Sequence, residues 1–155
     1  MPRAFSAINR CEDDCYIIYS NILIKNGSNI RLKKYPNIRR FMNEYGGAPF
    51  IHHQSAFVLR KALLRVGLFD VAYRLHADYD LMLRVMGEGS VMKIDDAFVV
   101  FNANGYSSKF GNIIRSFNEI RRIRKKLGFD QLNFKIFLIY TRLILRSIIA
   151  RFFIN

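Results

Sequence analysis

Two carboxylates, a histidine and an arginine fall within nine consecutive positions, residues 76–84, near the middle of the chain. Asp78 and Asp80 lie where the pattern predicts the start of a helix, His76 precedes them, and Arg84 follows Asp80 by four residues. A positioned carboxylate can take a proton from a reacting hydroxyl, which is the chemistry of a general base. Plain helix chemistry fits the same residues, because acidic side chains favour the first turn and an i,i+4 Asp–Arg pair supports a helix. The residue types alone leave both interpretations open.

Short strands and helices are predicted on both sides of this centre. Residues 16–25 are rich in Tyr and Ile and predict a strand. Asn26-Gly27 is typical of a type I′ hairpin turn, so residues 28–34 are expected to return as a second strand. The other predicted elements are a short helix over 36–45, a buried strand at 56–58 behind His52-His53-Gln54-Ser55, a helix over 60–66 capped by Gly67, the Asp78 helix ending at Gly87, two strands at 91–94 and 97–101 split by Asp95-Asp96, and helices over 112–127 and 134–154.

An ordered set of short motifs runs through residues 49–107. In chain order the motifs are residues 49–58 with His52-His53-Gln54 ahead of an apolar strand, residues 63–70 with Gly67-Leu68-Phe69-Asp70, Tyr73-Arg74, Ala77-Asp78-Tyr79-Asp80-Leu81 with Arg84, and Gly105-Tyr106-Ser107. In this order and spacing they resemble the acceptor-side half of family 2 glycosyltransferases, which have the GT-A fold. The resemblance implies an α/β chain with a partial GT-A, Rossmann-like mixed sheet and a helical, basic C-terminal extension.

The same resemblance assigns roles to individual residues. Asp78 matches the family's catalytic base, which takes the proton from an acceptor hydroxyl in an inverting sugar transfer. His53 and Gln54 become candidates for acceptor contact, and Asp80, Arg84 and Asp70 become supporting residues. The implied partners are a nucleotide-sugar donor and a sugar or lipid-linked acceptor, and the implied process is synthesis of a cell-surface polysaccharide.

The resemblance does not extend to the family's nucleotide-binding half, which ends in a D-x-D motif that holds a divalent metal. The one literal D-x-D in this sequence is Asp78-Tyr79-Asp80, which the resemblance already assigns to the base. A full enzyme is therefore expected to use Mn²⁺ or Mg²⁺, with no metal-ligand set visible in this chain. We expect the chain to be a fragment or truncated product that works with a separate donor-binding half.

Composition is typical of a globular protein, and the positive charge suggests an anionic partner such as nucleic acid, acidic lipid or a phosphorylated substrate. The alternative is that the charge serves only solubility. It has 155 residues, 51% of them hydrophobic, and a net charge of +13, which fits a folded chain rather than a disordered one. Residues 109–155 hold eleven Lys or Arg against two Asp or Glu, a net charge of +9. We therefore divide the chain into an acceptor-side part, residues 1–108, and a basic amphipathic helical tail, residues 109–155.

The tail predicts binding to a membrane surface. Arg142 and Arg146 fall in the middle of the apolar stretch over 134–154, where a charge opposes insertion across a bilayer. A basic stripe on an apolar helix favours a position in the interface of an anionic membrane. The alternative is a helix that packs on the domain with its basic stripe in water. With no signal peptide visible and both cysteines, Cys11 and Cys15, interpreted as free thiols, the expected location is cytoplasmic, peripheral at the inner face of the cell membrane. The alternatives to an enzyme are a non-catalytic basic protein that binds membrane or nucleic acid, and an inactive truncated remnant.

Overall fold

The computed structural model describes residues 14–36, 51–102 and 110–129, together with residues 137, 138, 140–142 and 145. These residues form a mixed α/β arrangement, which confirms the coarse fold class predicted from the sequence. The strands are β1 Cys15–Asn26, β2 Asn29–Lys33, β3 Ala56–Val58 and β4 Ser90–Asn102. The helices are α1 Arg60–Val66, α2 Ala77–Met86 and α3 Phe110–Lys126. A 3₁₀ turn spans His53–Ser55.

β1 is the central strand of a four-stranded mixed sheet. β4 runs parallel to β1 along almost its whole length. β2 and β3 pair antiparallel with different stretches of β1, β3 with Ile17–Tyr19 and β2 with Ile22–Asn26. A strand has only two edges, so β2 and β3 lie end to end on the edge of β1 that faces away from β4.

The predicted break between two strands at Asp95-Asp96 is wrong, because β4 continues through both residues. Ser20 pairs with Ile94 and Asn21 with Ala97, so the two aspartates are extra residues in a bulge. Asn21 stabilises this irregularity with its buried side chain, donating from Nδ2 to the carbonyl of Asp95 at 2.7 Å and accepting the backbone N–H of Tyr35 at 2.9 Å. A bulge allows polar residues to stay on a strand without interrupting it.

The helices form two layers on one face of the sheet. Ala62 of α1 and Leu81, Met82 and Val85 of α2 pack against Tyr16 and Ile17 of β1. The opposite side of α2 packs against α3, in a cluster of buried side chains made of Tyr73, Tyr79, Leu83, Ile113, Ile120, Ile123 and Tyr140. α2 therefore lies between the sheet and α3, with its N-terminus held from both sides.

The other face of the sheet carries exposed apolar side chains. Ile30, Leu32 and Val100 are all about half exposed, and Phe57, which pairs with Phe98 at 5.4 Å between ring centroids, is 48% exposed. The strand at 56–58 was predicted to be buried, and for Phe57 that prediction is wrong. The pattern of three apolar residues does not show that the middle side chain points to the face on which none of the described helices packs.

Gly89, in the turn between α2 and β4, lies where any side chain would collide with the core. A Cβ atom there would be 2.6 Å from two atoms of the Tyr16 ring and 2.7 Å from the carbonyl oxygen of Asp14. We expect Gly89→Ala to lower the free energy of unfolding by about 1–3 kcal/mol, as overpacking does in a core. Chemical denaturation measures this loss. Gly87→Ala is the control, because its nearest neighbour is 3.4 Å away and its φ is −72°; equal stability of the two variants would contradict the prediction.

Three other predicted segments lie partly or wholly outside the described residues. The helix over 36–45 lies outside them apart from Pro36, and the Gly105-Tyr106-Ser107 motif lies outside them entirely. Of the helix over 134–154, residues 137, 138, 140–142 and 145 are described and are helical. Among the described residues, no helix has the length and apolar character needed to span a bilayer.

Cys15 is disulfide-bonded, which corrects the prediction of a free thiol at this position. The sequence has one other cysteine, Cys11, which lies outside the described residues. Disulfides persist in oxidising compartments and are rare in a reducing cytoplasm.

Candidate functional site

The candidate site is at the N-terminus of α2. The helix forms here because Leu81, Met82 and Val85 share one apolar face that packs on β1, and Gly87 follows its last residue. Asp78 and Asp80 lie in the first turn, as predicted. Their side chains point to different surroundings, since Asp78 is 31% exposed and Asp80 is completely buried.

Asp78 and His53 form an ion pair, although they are far apart in the sequence. The Nδ1 atom of His53 is 2.5 Å from Oδ2 of Asp78, and the histidine side chain is 50% exposed. The other carboxylate oxygen, Oδ1, accepts the backbone N–H of Tyr79 at 2.8 Å. Both oxygens of Asp78 thus accept hydrogen bonds, and the pair stands at the surface where a ligand can reach it.

The pair shifts the pKa values of its two members in opposite directions. The hydrogen bond from His53 to Asp78 raises the pKa of His53 above the ordinary 6.5, although burial acts to lower it. Burial acts to raise the pKa of Asp78, but the hydrogen bond and charge of His53 outweigh burial and hold that pKa below the ordinary 3.8. Asp78 is therefore a carboxylate at neutral pH, which is the form that a base requires.

We expect the ring protons of His53, followed by NMR, to titrate with a pKa above 6.5. In Asp78→Asn the pKa should return towards that value, because the favourable charge is lost. The raised pKa of His53 contributes stability that is lost as pH rises through the folded value. The lowered pKa of Asp78 contributes stability that is lost as pH falls through the folded value, so the pair stabilises the fold most between 3.8 and 6.5. An unchanged His53 titration in the variant would show that the pair does not form in solution.

His52 and Gln54, on either side of His53, face different environments. The His52 ring stacks 5.4 Å from His53 and lies 4.4 Å from Phe101 between centroids, while its buried Nδ1 has no hydrogen-bond partner among the described residues. Burial, with the nearby charges of His53 and Lys33, lowers the pKa of His52. Gln54 is exposed. The structure thus brings His53 to Asp78 and leaves Gln54 beside the pair, facing solvent.

Asp80 and Arg84 form an ion pair that connects α2 to the end of α1. Oδ2 of Asp80 accepts from Nε of Arg84 at 2.8 Å, which is the i,i+4 pair predicted from the sequence. The Arg84 guanidinium also donates to the carbonyl of Val66 and, at 2.6 Å, to the carbonyl of Leu68. Leu68 has a positive φ of 59°, a conformation that is unusual for a side chain of this type. Arg84 therefore holds the end of α1 against α2.

Asp70 extends the same set of charges towards α3. Its Oδ2 is 2.9 Å from Nζ of Lys126, its Oδ1 accepts the backbone N–H of Ala72, and Lys126 is also 3.7 Å from Oδ1 of Asp80. Asp70, Asp80 and Arg84 were predicted to support Asp78. None of the three contacts Asp78 among the described residues; they connect α1, α2 and α3 instead, and so fix the helix that carries Asp78.

Glu119 of α3 is a site residue that the sequence interpretation missed. Its buried carboxylate accepts the backbone N–H groups of Arg74, Leu75 and His76, at 3.2, 2.8 and 3.1 Å. These residues form the loop that enters α2. Glu119 is thus a positioning residue, because it fixes the segment that leads directly to Asp78.

A second set of polar contacts joins the same loop to α3. Nε2 of His76 is 2.6 Å from Oγ of Ser116, which is 2.7 Å from the hydroxyl of Tyr140. Burial lowers the pKa of His76, so this histidine is neutral at physiological pH. The sequence contained one signal for the contacts of both Glu119 and Ser116. These two residues share a helix face with Ile120 and Ile123, which places an acidic and a polar residue on the buried side.

The described residues do not supply a divalent-metal site. Asp78 is paired with His53 and Asp80 with Arg84, so the two aspartates of the literal D-x-D do not converge on one point. No group of three or more His, Cys, Asp or Glu side chains in the described part of the chain is arranged to hold a metal ion.

The described surface also has a shallow depression of about 420 Å³. Val66, Arg84, Gly87, Leu127 and Phe129 are among its lining residues. It lies at the C-terminal end of α2, and Asp78 lies at the other end, so the depression is not part of the His53–Asp78 site.

Comparison of the chain with protein-family models, with curated proteins and with solved structures finds no match.

Proposed function

We propose that this chain is the acceptor-side part of a GT-A glycosyltransferase of family 2. It would transfer a sugar from a nucleotide-sugar donor to an acceptor hydroxyl in the synthesis of a cell-surface polysaccharide. The observation that carries the proposal is the ion pair of His53 with Asp78. Two motifs that the resemblance assigns to one cleft, the histidine segment before β3 and the Asp motif of α2, are in direct contact at the surface.

In this proposal Asp78 is the base. The acceptor hydroxyl loses its proton to the His53–Asp78 pair while its oxygen forms a bond to the anomeric carbon of the donor sugar. The bond from that carbon to the diphosphate breaks, and the nucleoside diphosphate leaves with the electron pair. Direct attack of this kind inverts the anomeric centre. Because both oxygens of Asp78 already accept hydrogen bonds, the acceptor either displaces His53 or passes its proton through the imidazole.

The arrangement around the pair supports specific roles for the other predicted residues. Gln54 is exposed one residue after His53, so it is available to hydrogen-bond an acceptor hydroxyl. Asp70, Asp80 and Arg84 act by fixing α2 against its neighbours. The donor and its metal belong, in this proposal, to a separate donor-binding half.

The proposal is tested by measuring nucleoside diphosphate released from individual nucleotide sugars in the presence of a lipid extract as acceptor source. The chain is assayed by itself and together with any donor-binding half encoded next to it, recognised by strand–helix repeats and a D-x-D motif. Release that requires both the acceptor and an intact Asp78 supports the proposal. Release that continues unchanged in Asp78→Asn contradicts it.

One further function is favoured by a specific observation. The outward face of α3 carries several exposed basic side chains, which is the feature expected of a protein that binds an anionic surface without catalysis. A peripheral position on a membrane is compatible with the enzyme as well. The glycosyltransferase and the binding of an anionic surface are therefore tested by separate measurements.

A further inference from the structure

The exposed side of α3 is basic along its length. This outer face of α3 consists of Ile114, Arg115, Asn118, Arg121, Arg122 and Lys125, all of them exposed. Their spacing places them on one side of the helix, opposite the buried Ile113, Ile120 and Ile123. The single acidic residue of α3, Glu119, points inward to the loop before α2. Apart from the pair of Arg115 with Glu119, the positive charge of the outer face is not offset by acids on the same helix.

Two of the four basic residues of the outer face have contacts that orient them, and two do not. Arg115 is 3.7 Å from Glu119, and Arg122 lies over the ring of Tyr73 at 5.8 Å. Lys126, at the edge of this face, pairs with Asp70. Within the described residues, Arg121 and Lys125 have no carboxylate within ion-pair distance. These side chains are available to an anionic partner.

Exposed apolar side chains accompany this charge. Ile114 of the outer face is 60% exposed, and Phe137 and Leu145, in the helical residues that follow, are 49% and 52% exposed. Tyr140 attaches this following segment to α3, because its hydroxyl contacts Ser116 and its ring lies 5.1 Å from that of Phe117. Arg142 is exposed on the same segment. Large apolar and basic side chains are thus exposed both on α3 and on the segment that Tyr140 joins to it.

We propose that the outer face of α3, with Phe137 and Leu145, docks on the surface of an anionic lipid bilayer. Basic side chains would meet the phosphate groups of the lipids, while the apolar side chains enter the boundary of the acyl chains. A nucleic acid fits this surface less well. It would match the charge but leave Ile114, Phe137 and Leu145 without an apolar partner.

The test uses the full chain and sedimentation with vesicles of mixed phosphatidylglycerol and phosphatidylcholine, compared with vesicles of phosphatidylcholine alone. We expect binding to the mixed vesicles only, with most of the protein released by high salt because the charges are screened. The triple variant Arg121→Gln, Arg122→Gln and Lys125→Gln should bind on the order of 100-fold more weakly, at about five-fold for each charge removed. These positions are exposed, and circular dichroism checks that the variant keeps its helices.

The matched control removes three exposed charges from the β1–β2 hairpin, with Lys25→Gln, Arg31→Gln and Lys34→Gln. This variant should bind the mixed vesicles nearly as well as the unaltered chain. Equal losses in the two triple variants, or no vesicle binding by the unaltered chain, would overturn the proposal. So would tight binding to RNA in a filter assay with no preference for the vesicles. No sugar donor is needed, so the outcome is independent of the glycosyltransferase proposal.

Discussion

In the glycosyltransferase proposed above, replacing Asp78 with asparagine is expected to lower the rate of sugar transfer by about 10²–10⁴-fold, the range that a positioned general base contributes. Asparagine has nearly the same shape and still offers a carbonyl oxygen to Nδ1 of His53, so the local fold should persist. It cannot accept the proton that the acceptor hydroxyl must lose. The loss should appear in kcat, measured as nucleoside diphosphate released per unit time, while donor binding is unchanged.

Asp95→Asn is the matched control for this prediction. Asp95 is 92% exposed, pairs with Lys93, and lies in the bulge of β4, so the same substitution there should leave the transfer rate unaltered. If Asp95→Asn and Asp78→Asn lower the rate by the same factor, the loss does not come from a missing base. Normal turnover in Asp78→Asn would remove Asp78 from the mechanism altogether.

The pH dependence of kcat/KM distinguishes the two routes for the proton. If Asp78 acts directly after His53 moves away, activity falls only when the carboxylate becomes protonated, at a pH below 3.8 in the free enzyme. If the proton passes through His53, activity falls as the imidazole becomes protonated, at a pH above 6.5. Because the pKa of Asp78 is lowered and that of His53 is raised, the two routes predict a fall in kcat/KM at well-separated pH values.

The second large effect is expected from Arg84→Met, which should lower the free energy of unfolding by about 3–5 kcal/mol. The substitution leaves Asp80 completely buried and without its main partner, and a buried, uncompensated charge is costly. It also removes the donors that satisfy the carbonyls of Val66 and Leu68. Urea denaturation of the full chain at neutral pH measures the change.

Arg115→Met provides the comparison. Arg115 also forms an i,i+4 pair with an acidic residue, but its side chain is 53% exposed and its distance to Glu119 is 3.7 Å. We expect a loss below about 1 kcal/mol, as exposed ion pairs show. Similar losses for the two variants would mean that burial does not make the Asp80–Arg84 pair important for stability.

Local patterns predicted much of the secondary structure, because they depend on residues that are close in sequence. The strand expected over 16–25 is β1 Cys15–Asn26, and the helix expected over 60–66 is α1, with Gly67 in the left-handed conformation at its end. The Asp95-Asp96 pair misled the interpretation, since aspartate is unfavourable in a regular strand. Whether two aspartates end a strand or occupy a bulge depends on Asn21 in the neighbouring strand, which no local pattern contains.

The candidate site was predicted in its composition but not in its contacts. The resemblance placed His53 and Asp78 in one cleft, and the structure adds that they form an ion pair. The pairing of Asp80 with Arg84 was readable from the sequence because it lies within one helix. Glu119 was not, since its partners are backbone N–H groups of a distant loop, and a glutamate four residues after Arg115 is also typical of an exposed helix surface.

The contact between Glu119 and the loop before α2 also sets the order in which the site can form during protein synthesis. The three N–H groups that Glu119 accepts lie 43 to 45 residues earlier in the chain. At ribosomal rates of about 5–20 residues per second, Glu119 is added about 2–9 s after them. Asp78 and His53 are made earlier, but the loop that fixes α2 lacks its carboxylate until α3 has left the ribosome. The geometry of the site is therefore completed only after α3 has been synthesised.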